Sequence, residues 1–280
     1  MRRSAYAARA GRKHGATVRC VLIATDLDGT LVPHGDATPS PYCADVLRRL
    51  DEADVPVVFV TGRPLRWMTG FWPHVGRHGL AIVSNGAVAY DVHAGEVIDH
   101  AGIEPAAGLE IVAAVSGAVP GVTFAIECLD GIRQDSAYAD SDLVPHTAAR
   151  GPLKDLWDVP ALKLLVRHSL GDSQDFRDRV IAAVGDRATP TWSMAGLVEI
   201  SAQGVTKASA LRVLCARLGI GSDDVVAFGD MPNDIPMLSW AGTSYAMENA
   251  HESVQAMADH VAPGCHGDGV ARVLESIMDI

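Results

Sequence analysis

The chain has 280 residues, with 34 acidic side chains against 23 basic ones and a formal net charge of −11. Hydrophobic residues make up 48% and charged residues 20%, a globular composition that can fill one large or two ordinary domains and excludes a disordered chain. The acidic balance argues against non-specific nucleic-acid binding, which needs clustered Lys and Arg, and no run of about 18 apolar residues offers a membrane span.

Residues 1–19 run against that balance. They carry Arg2, Arg3, Arg9, Arg12, Lys13 and Arg19 and no acid, so removing six positive charges from −11 leaves −17 for residues 20–280. No apolar stretch follows Arg2-Arg3, so an export signal is not expected, and residues 1–18 read as a disordered basic extension. Val18–Thr25 is a short, β-branched apolar run, the mark of a buried parallel strand. Pro41–Ala53 has helical spacing, Val55–Val60 is a second strand, Pro64–Val75 reads as a helix and Leu80–Ser84 as a third strand.

The middle has a different rhythm. Ala87–Asp91 and Glu96–His100 flank a plausible hairpin turn at 92–95. Helices are expected at about Pro105–Val119 and Ser173–Val184. Strands are expected at Val122–Leu129, Ile132–Ser136, Leu162–Arg167, Thr189–Met194 and Leu197–Ser201. Strands adjacent in sequence with few helices imply an antiparallel sheet covered on one face, so 87–201 reads as an inserted α+β unit. The Gly/Pro-rich stretch near 145–160 reads as a long loop. Strand–helix alternation then returns: Lys207–Leu218, Val225–Phe228, Asp234–Trp240, Thr243–Met247, His251–Met257, His260–Ala262 and Val270–Met278. The expected class is α/β, a Rossmann-like parallel-sheet core at 19–86 and 202–280 carrying the inserted α+β cap.

Four motifs fall at strand or helix ends. Asp26-Leu27-Asp28-Gly29-Thr30 follows the first strand, and carboxylates two apart on extended chain face one side. Two like charges together call for a cation or a proton. Thr61-Gly62-Arg63 follows the second strand and offers a hydroxyl and a backbone N–H to an anion. Lys207 opens a helix, where its charge opposes the dipole, so a reason beyond solvation is expected. Gly229-Asp230-Met231-Pro232-Asn233-Asp234 follows a later strand, where Asp234 could also be a plain helix cap. Ligands of open parallel sheets bind at the carboxyl ends of strands, where Asp26, Asp28, Asp230 and Asp234 converge. Oxygen donors of this kind suit Mg²⁺, and Thr61 and Lys207 can serve a phosphoryl group. A carboxylate nucleophile, a second carboxyl for proton transfer, a metal and a lysine together make a phosphoryl-transfer site.

On these motifs the chain resembles the haloacid dehalogenase-like superfamily, and within it the Cof-type phosphatases with a C2-type cap inserted after the third strand. The likeness is carried by DLDGT at 26–30, TGR at 61–63, Lys207 and GDMPNDIPML at 229–238. It extends to SNGA at 84–87, GVTK at 204–207, AMENAHESV at 246–254 and GDGVARVLE at 267–275. It covers about 19–90 and 197–280; the cap agrees in layout only. The resemblance implies that Asp26 attacks phosphorus to form an aspartyl-phosphate, and that Asp28 protonates the leaving alcohol and then activates water. It also implies a Mg²⁺ held by Asp26, the Asp28 carbonyl and Asp230, supported by Asn233 and Asp234. Thr61, Gly62 and Lys207 would bind phosphate. Asp28 separates phosphatases from dehalogenases.

The expected function is a Mg²⁺-dependent phosphatase for a small phosphorylated metabolite, foremost a sugar phosphate. Alternatives are a phosphatase for a nucleotide-like or cofactor phosphate (a flavin precursor or pyridoxal phosphate), a phosphomutase, or a non-catalytic phospho-ligand sensor. Neither nucleic acid nor membrane is an expected partner. Five cysteines without a CxxC pair suit a reducing compartment, so the cytoplasm is expected. His34, Glu127, Glu199, Arg133 and Trp192 are further polar or aromatic candidates, and His74 and His78 stand four apart.

Overall fold

The computed structural model describes residues 22–138, 147–168, 171 and 173–278. The expected basic extension at 1–18, and residues 145–146 of the expected loop, lie outside them. The larger sheet begins with β1 (Leu22–Thr25), β2 (Val57–Val60), β3 (Leu80–Val83), β4 (Val88–Asp91) and β5 (Glu96–His100), with α1 (Pro41–Glu52) between β1 and β2. A second sheet holds β6 (Val122–Cys128), β7 (Gly131–Gln134), β8 (Ala149–Arg150), β9 (Lys163–His168), β10 (Ala188–Thr191) and β11 (Leu197–Ala202). Its helices are α2 (Pro105–Ala118), α3 (Leu153–Leu156) and α4 (Gln174–Val184). The chain returns to the first sheet with α5 (Lys207–Leu218), β12 (Val225–Gly229), α6 (Ile235–Trp240), β13 (Thr243–Met247), α7 (Glu252–Gln255), β14 (His260–Ala262) and α8 (Gly269–Met278).

The order in the larger sheet is β14-β13-β12-β1-β2-β3-β4-β5, and every pairing from β14 to β3 is parallel. Such strands are buried on both faces, and β1 reads LIAT with all four residues buried. One face packs on α1 and α8 through Ile23, Phe59, Leu50 and Leu274, the other on α5 and α6 through Leu22, Val58, Leu211 and Leu238. The smaller sheet has the order β10-β11-β9-β6-β7-β8 and is antiparallel except for β7-β8. One of its faces carries α2 and α4 over Ile111, Phe124, Val166 and Val180. Its other face carries a smaller apolar patch of Ala125, Ile132, Tyr138, Leu165 and Leu197.

Three local readings are corrected. The hairpin expected to open the inserted unit extends the larger sheet instead, because the short turn Ser84–Gly86 folds β4 straight back onto β3 in antiparallel register. The helix expected over Pro64–Val75 is two 3-10 turns, Leu65–Trp67 and Trp72–His74. Gly70 lies between them, so close to the 37–38 loop that a Cβ there would stand 2.0 Å from the Ala37 carbonyl oxygen, and Pro73 removes a further donor. The 145–160 stretch is also more ordered than a loop, for it holds β8 and α3.

Candidate active site

Parallel register delivers the motif residues to one edge. Thr25 pairs with Phe228, and the Asp26 N–H donates to the Phe228 carbonyl at 3.1 Å. Asp26 and Asp230 therefore leave neighbouring strands side by side. Oxygens of Asp26, Asp230 and Asp234 lie within 4.8 Å of one another, all buried. Gly29 makes room for this approach. Its φ is +80°, and a Cβ would stand 2.3 Å from Asp230 Oδ2. Lys207 enters the cluster from α5, its Nζ donating to Asp26 Oδ1 at 2.7 Å and to Asp234 Oδ1 at 2.6 Å. Two carboxylates answer why a lysine opens this helix against the dipole. The helix start itself is fixed by Thr206, whose hydroxyl accepts from the Ser209 N–H at 3.0 Å.

The electrostatics follow from burial. Removal from water pushes Asp26 well above the usual carboxylate range; Lys207 opposes the shift, and Asp234 and Asp230 add to it. Burial and then Asp234 push Asp230 up to about 7, although the Thr30 hydroxyl donates to it at 2.8 Å. Burial would lower Lys207, but Asp234 and Asp26 overcome it and raise the lysine. Three buried acids around one lysine are short of positive charge. Their donors are all oxygen, which a hard divalent cation fits. Asp234 does double duty. Oδ1 takes the lysine, while Oδ2 accepts the N–H groups of Asp230 at 3.1 Å and Met231 at 3.0 Å. It fixes the loop as well as the charge.

Asp28 stands apart from the cluster. Its carboxylate accepts a two-pronged bond from Arg63, Nε to Oδ2 at 2.7 Å and Nη2 to Oδ1 at 2.6 Å. Arg63 is held in turn by the Asp36 carbonyl at 2.7 Å and lies over the Phe71 ring. Thr61 is fully buried, its hydroxyl accepting the Arg63 N–H at 3.0 Å. Asn85, beside Gly62, accepts from Asn233 Nδ2 at 3.1 Å. Arg63, Thr30 and Asn85 carry no role in the sequence reading. Asn85 follows a strand and has φ of +59°, a conformation that side chains rarely adopt away from special sites.

Above this edge lies a cavity of about 490 Å³, walled by both sheets, with Asp26, Asp28, Gly62 and Lys207 on the core side. Of the further candidates, His34, Glu127 and Glu199 line it, and Arg133 and Trp192 do not. His34 Nε2 is 3.9 Å from Asp230 Oδ2. Arg133 instead binds Asp130, and Trp192 lies under Arg177. Glu127 is gripped by Arg66 through two bonds of 2.9 Å. Glu199 accepts from Lys163 Nζ at 2.5 Å, and the same ammonium donates to the Gly62 carbonyl at 2.7 Å. These two cations stitch the roof to the phosphate turn. His74 Nε2 meets the Thr38 hydroxyl at 3.2 Å and His78 faces Asp54 at 3.6 Å, so they do not share a site.

A parallel sheet that gathers acids and a lysine at its carboxyl edge, beneath a roof from a second sheet, is the layout of a capped phosphatase of the α/β class. The family model of the haloacid dehalogenase-like hydrolases matches residues 23–274. The chain belongs to that family, as an enzyme of its Cof-type phosphatases with a C2-type cap. An HMP-PP phosphatase from Enterobacter sp. (strain 638) is 30% identical over 274 residues, covering 92% of this chain and 96% of that protein. A phosphoglycolate phosphatase from Methanothermobacter thermautotrophicus is 28% identical over 91% of this chain and 98% of its own length. A pyridoxal phosphate phosphatase from Escherichia coli is 29% identical over 91% of this chain and 97% of its own. Among solved structures, a haloalkanoate-superfamily phosphatase from Bacteroides thetaiotaomicron shares the fold with a TM-score of 0.79 at 21% identity, covering 93% of this chain and 96% of that one. A subclass IIB sugar phosphatase does so with a TM-score of 0.78 at 19%, covering 92% and 99%. No helix among the described residues is long and apolar enough to cross a membrane.

Proposed function

We propose that the chain hydrolyses a small phosphorylated metabolite through an aspartyl-phosphate on Asp26, with Mg²⁺. The observation that carries this is Asp26 itself, buried against Lys207 at the floor of a cavity that Asp28 also lines. An Asp26 carboxylate oxygen attacks phosphorus and the ester oxygen leaves with a proton from Asp28. Water then attacks phosphorus and gives its proton to Asp28, and the bond to the Asp26 oxygen breaks, releasing inorganic phosphate and restoring the carboxylate. Arg63 holds Asp28 in one orientation through its two-pronged bond. Thr61, Gly62 and Lys207 hold the phosphoryl oxygens. Asp26, the Asp28 carbonyl and Asp230 would hold the cation, with Asn233 and Asp234 behind them; when bound it supplies positive charge to the phosphoryl group. We place the units at 22–100 with 203–278 for the core and 101–202 for the cap. The four described cysteines are buried and free, in keeping with the reducing cytoplasm.

A sugar phosphate fits the cavity's size. The apolar roof of Ile132, Leu165 and Leu197 favours a second reading, a phosphate ester of a flat ring such as a cofactor precursor. The named activities of the relatives, on HMP-PP, phosphoglycolate and pyridoxal phosphate, support both the reaction and the small substrate. Phosphate release from a panel of phosphorylated metabolites, with Mg²⁺ and with EDTA, tests the proposal. Release that needs Mg²⁺ and disappears in Asp26→Asn is the expected outcome; substantial turnover by that variant would sink the covalent mechanism.

A further inference from the structure

Five Lys and Arg side chains line the cavity. Four have anionic partners: Lys207 meets Asp26 and Asp234, Arg63 meets Asp28, Arg66 meets Glu127, and Lys163 meets Glu199. The fifth, Arg167, meets no carboxylate among the described residues. Its Nε donates to the Tyr138 hydroxyl at 3.2 Å, its guanidinium carbon lies 5.9 Å from that ring's centre, and Nη2 is 3.9 Å from Met194 Sδ. Arg167 is half-buried beside the apolar patch that holds Tyr138, Leu165 and Leu197. A guanidinium cannot shed its charge, and an unmatched cation against apolar surface is unfavourable. Among the described residues the position therefore presents a cation with no carboxylate on it, open to an anion in the cavity.

Strand geometry says where that anion would sit. Residues alternate along β9, so Lys163, Leu165 and Arg167 share the cavity face. Lys163 marks the phosphate end, since it bonds the Gly62 carbonyl. Arg167 is four residues on, with its Cα about 13 Å further from that end. Cross-strand neighbours in the interval are mixed: Leu165 lies between Ala125 and Glu199, whose charge Lys163 takes up, and Arg167 lies between Thr123 and Leu197.

We propose that Arg167 binds a second anionic group, a carboxylate or a phosphate, at the end of the substrate remote from the phosphoryl group that is transferred. The patch of Leu165, Ile132 and Leu197 would carry the ring or chain between the two. The inference deepens the phosphatase reading and rests on it. It also disfavours the shortest dianions, which cannot span the interval.

The test uses the full chain with Mg²⁺ and two matched pairs of esters. One pair is biphenyl phosphate without and with a carboxylate on the distal ring. The other is fructose 6-phosphate and fructose 1,6-bisphosphate. The wild type is expected to favour the anion-bearing member of at least one pair, and the favoured pair tells carboxylate from phosphate. Arg167→Met should lower kcat/KM for that member by about ten- to a hundredfold, the range of a charge-assisted bond, and far more than for its partner. Arg167→Lys should recover part of the loss. Equal losses on both members, or no wild-type preference in either pair, would overturn the proposal. If the wild type turns over none of the four while it releases phosphate from other esters of the panel, calorimetric titration of the same four compounds decides the site; release from no ester at all would instead count against the phosphatase reading. In that titration, tighter binding of the anion-bearing member that is lost in Arg167→Met upholds the second-anion site, and equal affinities defeat it.

Discussion

At the scale of single residues, the site depends on close approach as much as on charge. Gly29 is the sharpest case, because its positive φ and the nearness of Asp230 Oδ2 both forbid a side chain. Gly29→Ala must move either the 26–30 turn or Asp230. Activity is expected to fall by more than tenfold, with more Mg²⁺ needed for half-maximal rate, while far-UV circular dichroism stays that of the wild type. Full activity with unchanged metal dependence would show that the two motifs do not need this spacing. The DLDGT and GDMPND motifs were legible as chemistry because acids, glycine and strand ends coincide in sequence. Arg63 was legible only as part of a motif. Its hold on Asp28 comes from the parallel pairing of β1 with β2, which brings residues 35 apart into a fork-and-carboxylate pair.

At the scale of elements, α2 is seated over the second sheet's end by a small residue at a tight contact. Gly108 in α2 lies against the Trp157 ring, where a Cβ would stand 2.0 Å from the nearest ring carbon. The ring is buried and rigid, so it cannot swing aside cheaply. Gly108→Ala should therefore destabilise the protein by about 1–3 kcal/mol through overpacking, despite alanine's better helix propensity. Urea unfolding measures this, and a stabilised variant would show that the ring yields. Strand periodicity made most elements readable, including β6, β9 and β11. The 64–75 segment was not, because its apolar spacing is helical while Gly70 and Pro73 break the ladder.

At the scale of the whole molecule, core and cap are joined by buried charge. Lys163 ties Glu199 to the Gly62 carbonyl, and both side chains are nearly inaccessible. Burial alone would raise Glu199, but the Lys163 ammonium and the Ser193 hydroxyl hold it below the usual carboxylate range. A folded-state value below the unfolded one contributes stability above about pH 4.3, and that contribution is lost as pH falls through the lower, folded-state value. Glu199→Gln leaves the lysine without its anion, which should cost about 3 kcal/mol at pH 7. The gap between wild type and variant should narrow as pH falls below about 4. Denaturant unfolding at several pH values reads it, and a gap that does not change with pH would mean the pair carries no linked proton.

The sequence by itself determined the class of fold, the motif residues and their order along the chain. Apolar runs, acids at strand ends and a lysine opening a helix are local signals, and local signals survive in one dimension. Only the tertiary structure decided which acids meet, because register between β1 and β12 sets Asp26 beside Asp230, and α5 alone brings Lys207 between Asp26 and Asp234. It also decided what faces the substrate. Glu127 and Glu199 were candidates in the sequence and do line the cavity, but Lys163 and Arg167 sit on a strand that reads as structural, and their meaning comes from a roof that lies over a phosphate turn distant in sequence. Which cation keeps a partner and which is left for a ligand is a question of distance in space, and no spacing along the chain encodes it.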